Sequence, residues 1–228
     1  MDALPKLNIY RPILTAIDRS EMKRYAGIRN GQQFPEKIID EAASLVLTLK
    51  SPQTVWSLYP YDCEKGVVGT DDKYIIASKS LRKHLANAEQ VIFLAATVGE
   101  MVEEAASTAF ARGDYTLGLL IDAAATAAVE QTADALETLL AGKFQGQGLK
   151  MTFRFSPGYG DWDLSEQAKV VALANAEAIG IALTDSLMLT PRKSITAIIG
   201  LCPDYMEETS AKGCQNCEKL DCEMRRDG

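Results

Sequence analysis

Histidine is nearly absent: the 228-residue chain has one, His84. A multi-histidine metal centre and a Ser-His-Asp hydrolase are both poorly supplied by a single imidazole. His84 lies in Lys79-Ser-Leu-Arg-Lys-His-Leu-Ala86, a short amphipathic helix pattern, and reads as an exposed helix histidine. Long apolar runs are missing too. The most apolar stretch, Val91-Ile-Phe-Leu-Ala-Ala-Thr-Val98, falls far short of the ~18 residues that span a bilayer and suits a buried strand. Met1-Asp-Ala-Leu-Pro5 has no basic region followed by an apolar one, so no signal peptide is expected. Positive charge is outnumbered, 24 Lys and Arg facing 31 Asp and Glu, for a net charge of −7 and a pI near 4.9. Phosphate backbones need clustered cations, which excludes nucleic acid as a partner. The five cysteines are an odd number, and three crowd the last fifteen residues. A disulfide-stapled secreted protein would spread them along the chain, so a reducing, cytoplasmic compartment without membrane contact fits better.

What is present suits a globular fold. Hydrophobic residues make up 47% of the chain, enough for one large domain or a domain with small appendages. Ser20-Glu-Met-Lys-Arg-Tyr25 reads as a helix start capped by the serine oxygen, broken by Gly27 and Asn30-Gly31. Pro35 opens a second helix at the first-turn position, where its missing N–H is harmless. Ile38, Ile39, Ala42, Leu45, Val46 and Leu49 give that helix one apolar face, and Ser51-Pro52 ends it. The period then changes. Residues 54–59, 66–70 and 73–77 are rich in β-formers, with Asp71-Asp72 a hairpin-turn candidate.

The helix around His84 leads into a strand at 91–97 and two helices, roughly 99–112 and 115–141, separated by Gly113-Asp114. In the second, Asp122-Ala-Ala-Ala-Thr-Ala-Ala-Val-Glu130 has so little bulk that another backbone or a ligand can approach; tight helix packing is the simpler reading. After a loop from Lys143 to Gly148 come a strand at 150–155, a helix from Ser165 to Ile179 capped by Gly180, and a last strand at 194–199. Strands mixed with helices, without βαβ alternation, make the fold class α+β, a single domain. The core pattern stops near Pro203.

The densest chemistry lies between Arg154 and Gln167. Arg154 ends a strand, where an outward guanidinium can fork onto a carboxylate. Pro157-Gly158 forces a turn, and Gly158 and Gly160 let a ligand approach the backbone without Cβ interference. Tyr159 sets an aromatic face between them, able to stack on a base or attract a cation. A carboxylate fork, a bare backbone and a ring suit an amino-acid sulfonium carrying adenosine, although Pro-Gly turns after strands are also common as plain turns.

Arg154-Phe-Ser-Pro-Gly-Tyr-Gly-Asp-Trp-Asp-Leu-Ser-Glu-Gln167 resembles the S-adenosylmethionine-binding signature of the cobalamin-dependent methionine synthase activation domain family, most closely its stand-alone form. The alanine-rich helix ending in Glu130 and the strand Pro191-Arg-Lys-Ser194-Ile-Thr-Ala197 agree in order and separation. The resemblance covers about residues 30 to 202. It implies a twisted, largely antiparallel sheet flanked by helices, arranged as an N-terminal helical extension (1–30), an activation-domain-like core (31–202) and a cysteine-bearing tail (203–228).

By the same resemblance, Arg154 and Tyr159 hold S-adenosylmethionine, Ser156 and Gly158 offer backbone contacts, and Glu130 is the acidic helix position that reaches the ligand, with Asp134 a rival register. The implied task is to present the sulfonium methyl for reductive methylation of cob(II)alamin, a contribution to methionine synthase activity in which no protein acid or base is required. The implied partners are a methionine synthase or related corrinoid protein that carries the cobalamin, and a flavodoxin- or ferredoxin-like electron donor.

Three departures limit the carry-over. Gly160-Asp-Trp-Asp stands where the long form of the synthase has Pro and Cys after the tyrosine, Tyr205 is only a loose counterpart of a further C-terminal tyrosine, and no Asp-x-His-x-x-Gly cobalamin motif is present. The loop 159–163, including Trp162, is expected to meet the partner, so that Trp162→Ala would weaken activation more than ligand binding.

Cys214-x2-Cys217-x4-Cys222, with Cys202 as a fourth ligand, is a candidate site for zinc or an iron–sulfur cluster; free thiols in a tail are the alternative. Cys63 reads as unrelated to it. Two rival functions follow: a metal- or cluster-bound interaction module, and a reactivator of another corrinoid methyltransferase.

Overall fold

Residues 7–28, 34–70 and 74–205 are described in the computed structural model of the chain. In chain order the elements are β1 (Asn8–Tyr10), α1 (Arg19–Tyr25), α2 (Glu36–Leu49), β2 (Gln53–Asp62), β3 (Val67–Val68), β4 (Tyr74–Ile75) and α3 (Lys79–His84). Then come β5 (Gln90–Thr97), α4 (Met101–Ala111), α5 (Tyr115–Gln145), β6 (Leu149–Met151), α6 (Gln167–Ala174), β7 (Ala182–Leu183), β8 (Leu189–Thr190) and β9 (Ser194–Pro203). Seven strands form one sheet in the order β4-β3-β2-β5-β9-β6, with β1 also on β2, and every pairing is antiparallel. β7 and β8 make a separate hairpin. The result is the expected α+β class with helices flanking a mostly antiparallel sheet.

The run Val91–Val98 is apolar because both faces of β5 are covered. Successive side chains of a strand point to opposite faces. Val91, Phe93 and Ala95 join Val55, Ile198 and Phe155 beneath Leu81 and Leu85 of the α3 region and Val170 of α6. Ile92 and Leu94 join Trp56, Ala197, Ile199 and Leu201 beneath Leu136, Leu140 and Phe144 of α5. A third cluster unites Met22 of α1, Ile39 and Val46 of α2, Val102 of α4 and the alanines 123–128 of α5. The 31 residues of α5 span about 46 Å, long enough to serve both the sheet and this helical layer. Of the two readings of its alanines, tight helix packing holds.

Several local expectations need correction. Asp18, not Ser20, caps α1, accepting from Ser20 N at 2.8 Å and Glu21 N at 3.1 Å. Pro35 is itself the cap residue of α2 rather than its first helical position. The helix expected at 165–179 is interrupted: a 3-10 turn (164–166) precedes α6, and Asn175 in the left-handed conformation separates α6 from a second 3-10 turn ending at Gly180. Asn175 tolerates φ 58° and donates to Ser57 Oγ at 2.9 Å, which fixes the break. The breaks expected at Asn30-Gly31 and Asp71-Asp72 lie outside the described residues.

His84 is buried, not exposed, at 3% accessibility. Its charged neighbours Arg82 and Lys83 suggest a solvated helix, but His84 shares the inner face with Leu81, one turn earlier. The ring sits 4.2 Å from that of Phe153 and donates from Nε2 to the Phe153 carbonyl at 2.9 Å. Burial lowers its pKa, with the Phe153 carbonyl acting in the opposite sense. A depressed histidine pKa means the unfolded chain binds the proton more readily, so this contribution to stability is complete above the ordinary value of 6.5 and lost below it. His84→Gln, which keeps a donor for Phe153 but cannot titrate, is expected to flatten the fall in stability on acidification from about 7.5 to 5.5, measured by urea unfolding.

Candidate functional site

The candidate site lies where α5 passes β6. Glu130, Asp134 and Glu137 recur at four- and three-residue spacing, which puts them on one helix face. Arg154 reaches them from the segment after β6. Its Nη2 lies 3.0 Å from Glu130 Oε2 and 2.8 Å from Asp134 Oδ1. Its Nη1 is 2.8 Å from Glu137 Oε1 but off the N–H axis, an ion pair without a hydrogen bond. Burial opposes the guanidinium charge, and Glu137, Asp134 and Glu130 outweigh it, so the Arg154 pKa is raised. The guanidinium is thus turned inward onto α5 rather than outward. Three carboxylates thus face this one cation, and Glu130 and Asp134 keep 39% and 66% side-chain exposure.

Beyond Arg154 the chain turns under its own hydrogen bonds. Phe155 pairs with Ile198 of β9, and Ser156 Oγ donates to Thr196 O at 2.8 Å. Gly158 N donates to Trp162 O at 2.7 Å, and Trp162 N to Tyr159 O at 3.0 Å. The Ser156 hydroxyl and the Gly158 amide therefore hold the turn. At Gly158 (φ 93°) a side chain would meet nothing within 4 Å, so the turn presents open backbone there. Tyr159 is 56% exposed, its ring edge-on to Phe155 at 5.8 Å. Its phenol is pushed up, by burial first and then by Glu130, with Arg154 acting in the opposite sense. Of the residues proposed from sequence, Arg154 and Glu130 are thus in contact and Tyr159 lies within the electrostatic reach of both, while Ser156 and Gly158 hold the turn between them. Asp134 is no rival to Glu130: both hold Arg154.

The departure Gly160-Asp-Trp-Asp has a structural role that its sequence context did not reveal. Asp161 accepts from Ser78 Oγ at 2.6 Å, Lys79 N at 2.8 Å and Ser80 N at 3.0 Å, and from Ser80 Oγ, latching the turn to the start of α3. These donors hold its carboxyl well below the usual range, the Ser78 and Ser80 hydroxyls first. Trp162 is not a surface residue that could meet a partner. It is 2% exposed, packs in the core with Phe155 and donates from Nε1 to Tyr74 Oη at 3.1 Å.

Glu137 was missed from sequence, although its spacing from Glu130 marks the same face. Lys193 was missed as well. It lies 2.8 Å from Asp122 Oδ2 and 2.9 Å from Thr126 Oγ1, continuing the polar face of α5 one and two turns before Glu130.

The proposed metal site is not assembled among the described residues. Cys202 is buried on β9 at 5% exposure, and its thiol is pushed up, chiefly by burial. Cys63, read as unrelated, packs against the same core cluster. Cys214, Cys217 and Cys222 lie outside the described residues. No group of three or more His, Cys, Asp or Glu able to hold a metal occurs among the described residues, and none of their helices is long and apolar enough to cross a membrane. Tyr205 is 79% exposed at the end of β9.

No protein-family model matches the chain, and no curated protein sequence does. Among solved structures, the chain is similar to a crystal structure of the MetH reactivation domain bound to AdoHcy. The two are 15% identical with a TM-score of 0.57, over 89% of this chain and 80% of that one. At this identity the likeness is one of fold.

Two outcomes follow from the turn. Trp162→Ala is expected to cost about 3–5 kcal/mol of stability, as large-to-small changes of buried aromatics do, read by denaturant unfolding. Asp161→Asn should lower the melting temperature by an amount that is constant from pH 7 to 5. That difference should narrow below about pH 4, because a depressed carboxylate stabilises above its unfolded pKa and loses that contribution as it protonates.

Proposed function

We propose that this chain binds S-adenosylmethionine in the Glu130–Arg154–Tyr159 cleft and presents its methyl group for reductive methylation of cob(II)alamin on a partner methionine synthase. The observation that carries the reading is the 3.0 Å contact between Arg154 and Glu130. It joins the two separate sequence pieces that resemble the S-adenosylmethionine signature, on a fold similar to that of a domain bound to AdoHcy. Residues 31–202 are then the activation-domain-like core, to which the N-terminal segment adds strand β1 and the packed helix α1, in a cytoplasmic setting.

The residues fit the ligand's chemistry. S-adenosylmethionine carries an ammonium, a sulfonium and a carboxylate. The acidic face of α5 favours the cationic groups, the Tyr159 ring can attract the sulfonium or stack on adenine, and the open backbone at Gly158 admits a close contact. The carboxylate must share Arg154 with the acidic face of α5.

Cobalamin, carried by the partner, supplies the methyl-accepting metal, and a flavodoxin- or ferredoxin-like donor the electron. This chain's own part is to bind, orient and exclude water, so its contribution is proximity.

The test is calorimetric titration of S-adenosylmethionine into wild-type protein, Arg154→Ala, Glu130→Gln and Tyr159→Leu. Saturable binding by the wild type, weakened roughly tenfold or more in Glu130→Gln and Tyr159→Leu, supports the cleft. Arg154→Ala should lose binding but also stability, since it leaves three carboxylates facing one another, so its melting temperature is read alongside. Wild-type protein that binds nothing, even with the cobalamin-bearing partner supplied, would sink the proposal.

A further inference from the structure

A second cation from the sheet side meets the same face of α5 as Arg154. Lys193 stands just before β9, its amide donating to Glu103 Oε1 at 2.8 Å and its carbonyl accepting from Val98 N at 3.2 Å. With the backbone held at both groups, its side chain reaches α5. Nζ donates to Thr126 Oγ1 at 2.9 Å and lies 2.8 Å from Asp122 Oδ2. An ammonium has three N–H donors, and these contacts take two of them. Among the described residues no other acceptor reaches Lys193 Nζ, so one donor is left. Thr126 and Glu130 are four residues apart on the helix, neighbours on one face with Cβ atoms about 5–6 Å from each other. Lys193 therefore ends one turn of α5 from the Glu130 carboxylate. The turn after Arg154 is tied to the same strand. Ser156 Oγ donates to Thr196 O at 2.8 Å, three residues or about 10 Å along from Lys193. Helix and strand each place Lys193 within one ligand's length of the Arg154–Glu130 contact.

We infer that Lys193 is a further binding residue of this site, holding the α-carboxylate of S-adenosylmethionine through its remaining N–H while Glu130 takes the α-ammonium. The inference rests on the ligand proposed above. An α-amino acid carries its two charged groups on one carbon, so the cation and the anion that clamp it stand several ångströms apart. One helical turn, about 5.4 Å, meets that requirement. Arg154 is poorly placed to take the carboxylate alone, because three carboxylates already hold it at 2.8–3.0 Å. Lys193 faces one carboxylate and one hydroxyl. Its side chain is 14% exposed, and a charge-assisted bond made in so desolvated a place is strong. Lys193 is therefore a specificity residue: it favours a ligand with an intact amino-acid carboxylate over one without it, where a purely structural residue would affect both alike.

The experiment titrates S-adenosylmethionine and decarboxylated S-adenosylmethionine, which keeps the sulfonium and the ammonium, separately into wild-type protein, Lys193→Met and the double variant Asp122→Asn/Lys193→Met. Met keeps the unbranched stem, and the double variant removes the whole ion pair, so the net charge there is unchanged. Melting temperatures are read alongside; should Lys193→Met lose stability through the unpaired Asp122, the double variant decides. S-adenosylmethionine affinity should fall roughly tenfold or more in both, while the decarboxylated ligand should bind the double variant as it binds the wild type. Equal loss of both ligands in the double variant, or no loss of either, overturns the role of Lys193 and leaves the Glu130–Arg154 site standing. A wild-type protein that binds neither ligand overturns the site and this inference together.

Discussion

One helix has to complete two different cores, and the placement of the site follows from that constraint. The first half of α5 faces α1, α2 and α4 through alanines, while its second half faces the sheet through Leu136, Leu140 and Phe144. Small side chains suit the first contact because helix axes can then approach closely, and large ones suit the second because they fill the pleats of the sheet. Between these packed faces runs a line of positions that neither core covers: Asp122, Thr126, Glu130, Asp134 and Glu137. All five are polar. Two cations from the sheet side cross to this line, Lys193 at its start and Arg154 further along, and each is only 14–17% exposed in its side chain. Half-buried cations of this kind persist only when paired, so the line and its partners are mutually required.

The turn after Arg154 is anchored at three separate places. Ser156 ties it to β9, Asp161 to the start of α3, and Trp162 to the core beside Tyr74. What remains free is the Tyr159 ring and the open side of Gly158. A turn held this way loses little freedom when a ligand arrives, and preorganisation of that kind favours affinity without adding contacts. At Gly160-Asp-Trp-Asp the turn is therefore held by a carboxylate latch and a buried indole.

The sequence made most of the fold legible and only part of the site. β5 was readable because eight consecutive buried positions leave a continuous apolar run, and α2 because its apolar residues keep a 3.6-residue period. The break at Asn175 was hidden, since helix periodicity continues on both sides of it and only the side-chain bond to Ser57 decides the conformation. His84 was misjudged because flanking charges report the average of a helix surface and say little about a single inward position. Trp162 was misjudged for a related reason: a tryptophan between two aspartates looks solvated until the turn rotates it inward. Arg154 and Glu130 were found through motif resemblance, whereas Glu137 and Lys193 needed the neighbouring element, because no local pattern states which strand residue will face which turn of α5.

The charge of the cleft constrains any ligand proposed for it. Exposed Asp134 is largely screened at physiological salt, where the screening length is about 8 Å. Glu137, at 15% exposure, is screened far less but is committed to Arg154. Glu130 is intermediate, and it also raises the pKa of the Tyr159 phenol. The effective field that a ligand meets is therefore set chiefly by Glu130, with Arg154 partly cancelled by its other partners. On the proposed reading, that field favours the sulfonium form and gives no corresponding advantage to the thioether left after methyl transfer. Such a difference would let the product leave without any acid, base or conformational trigger from this chain.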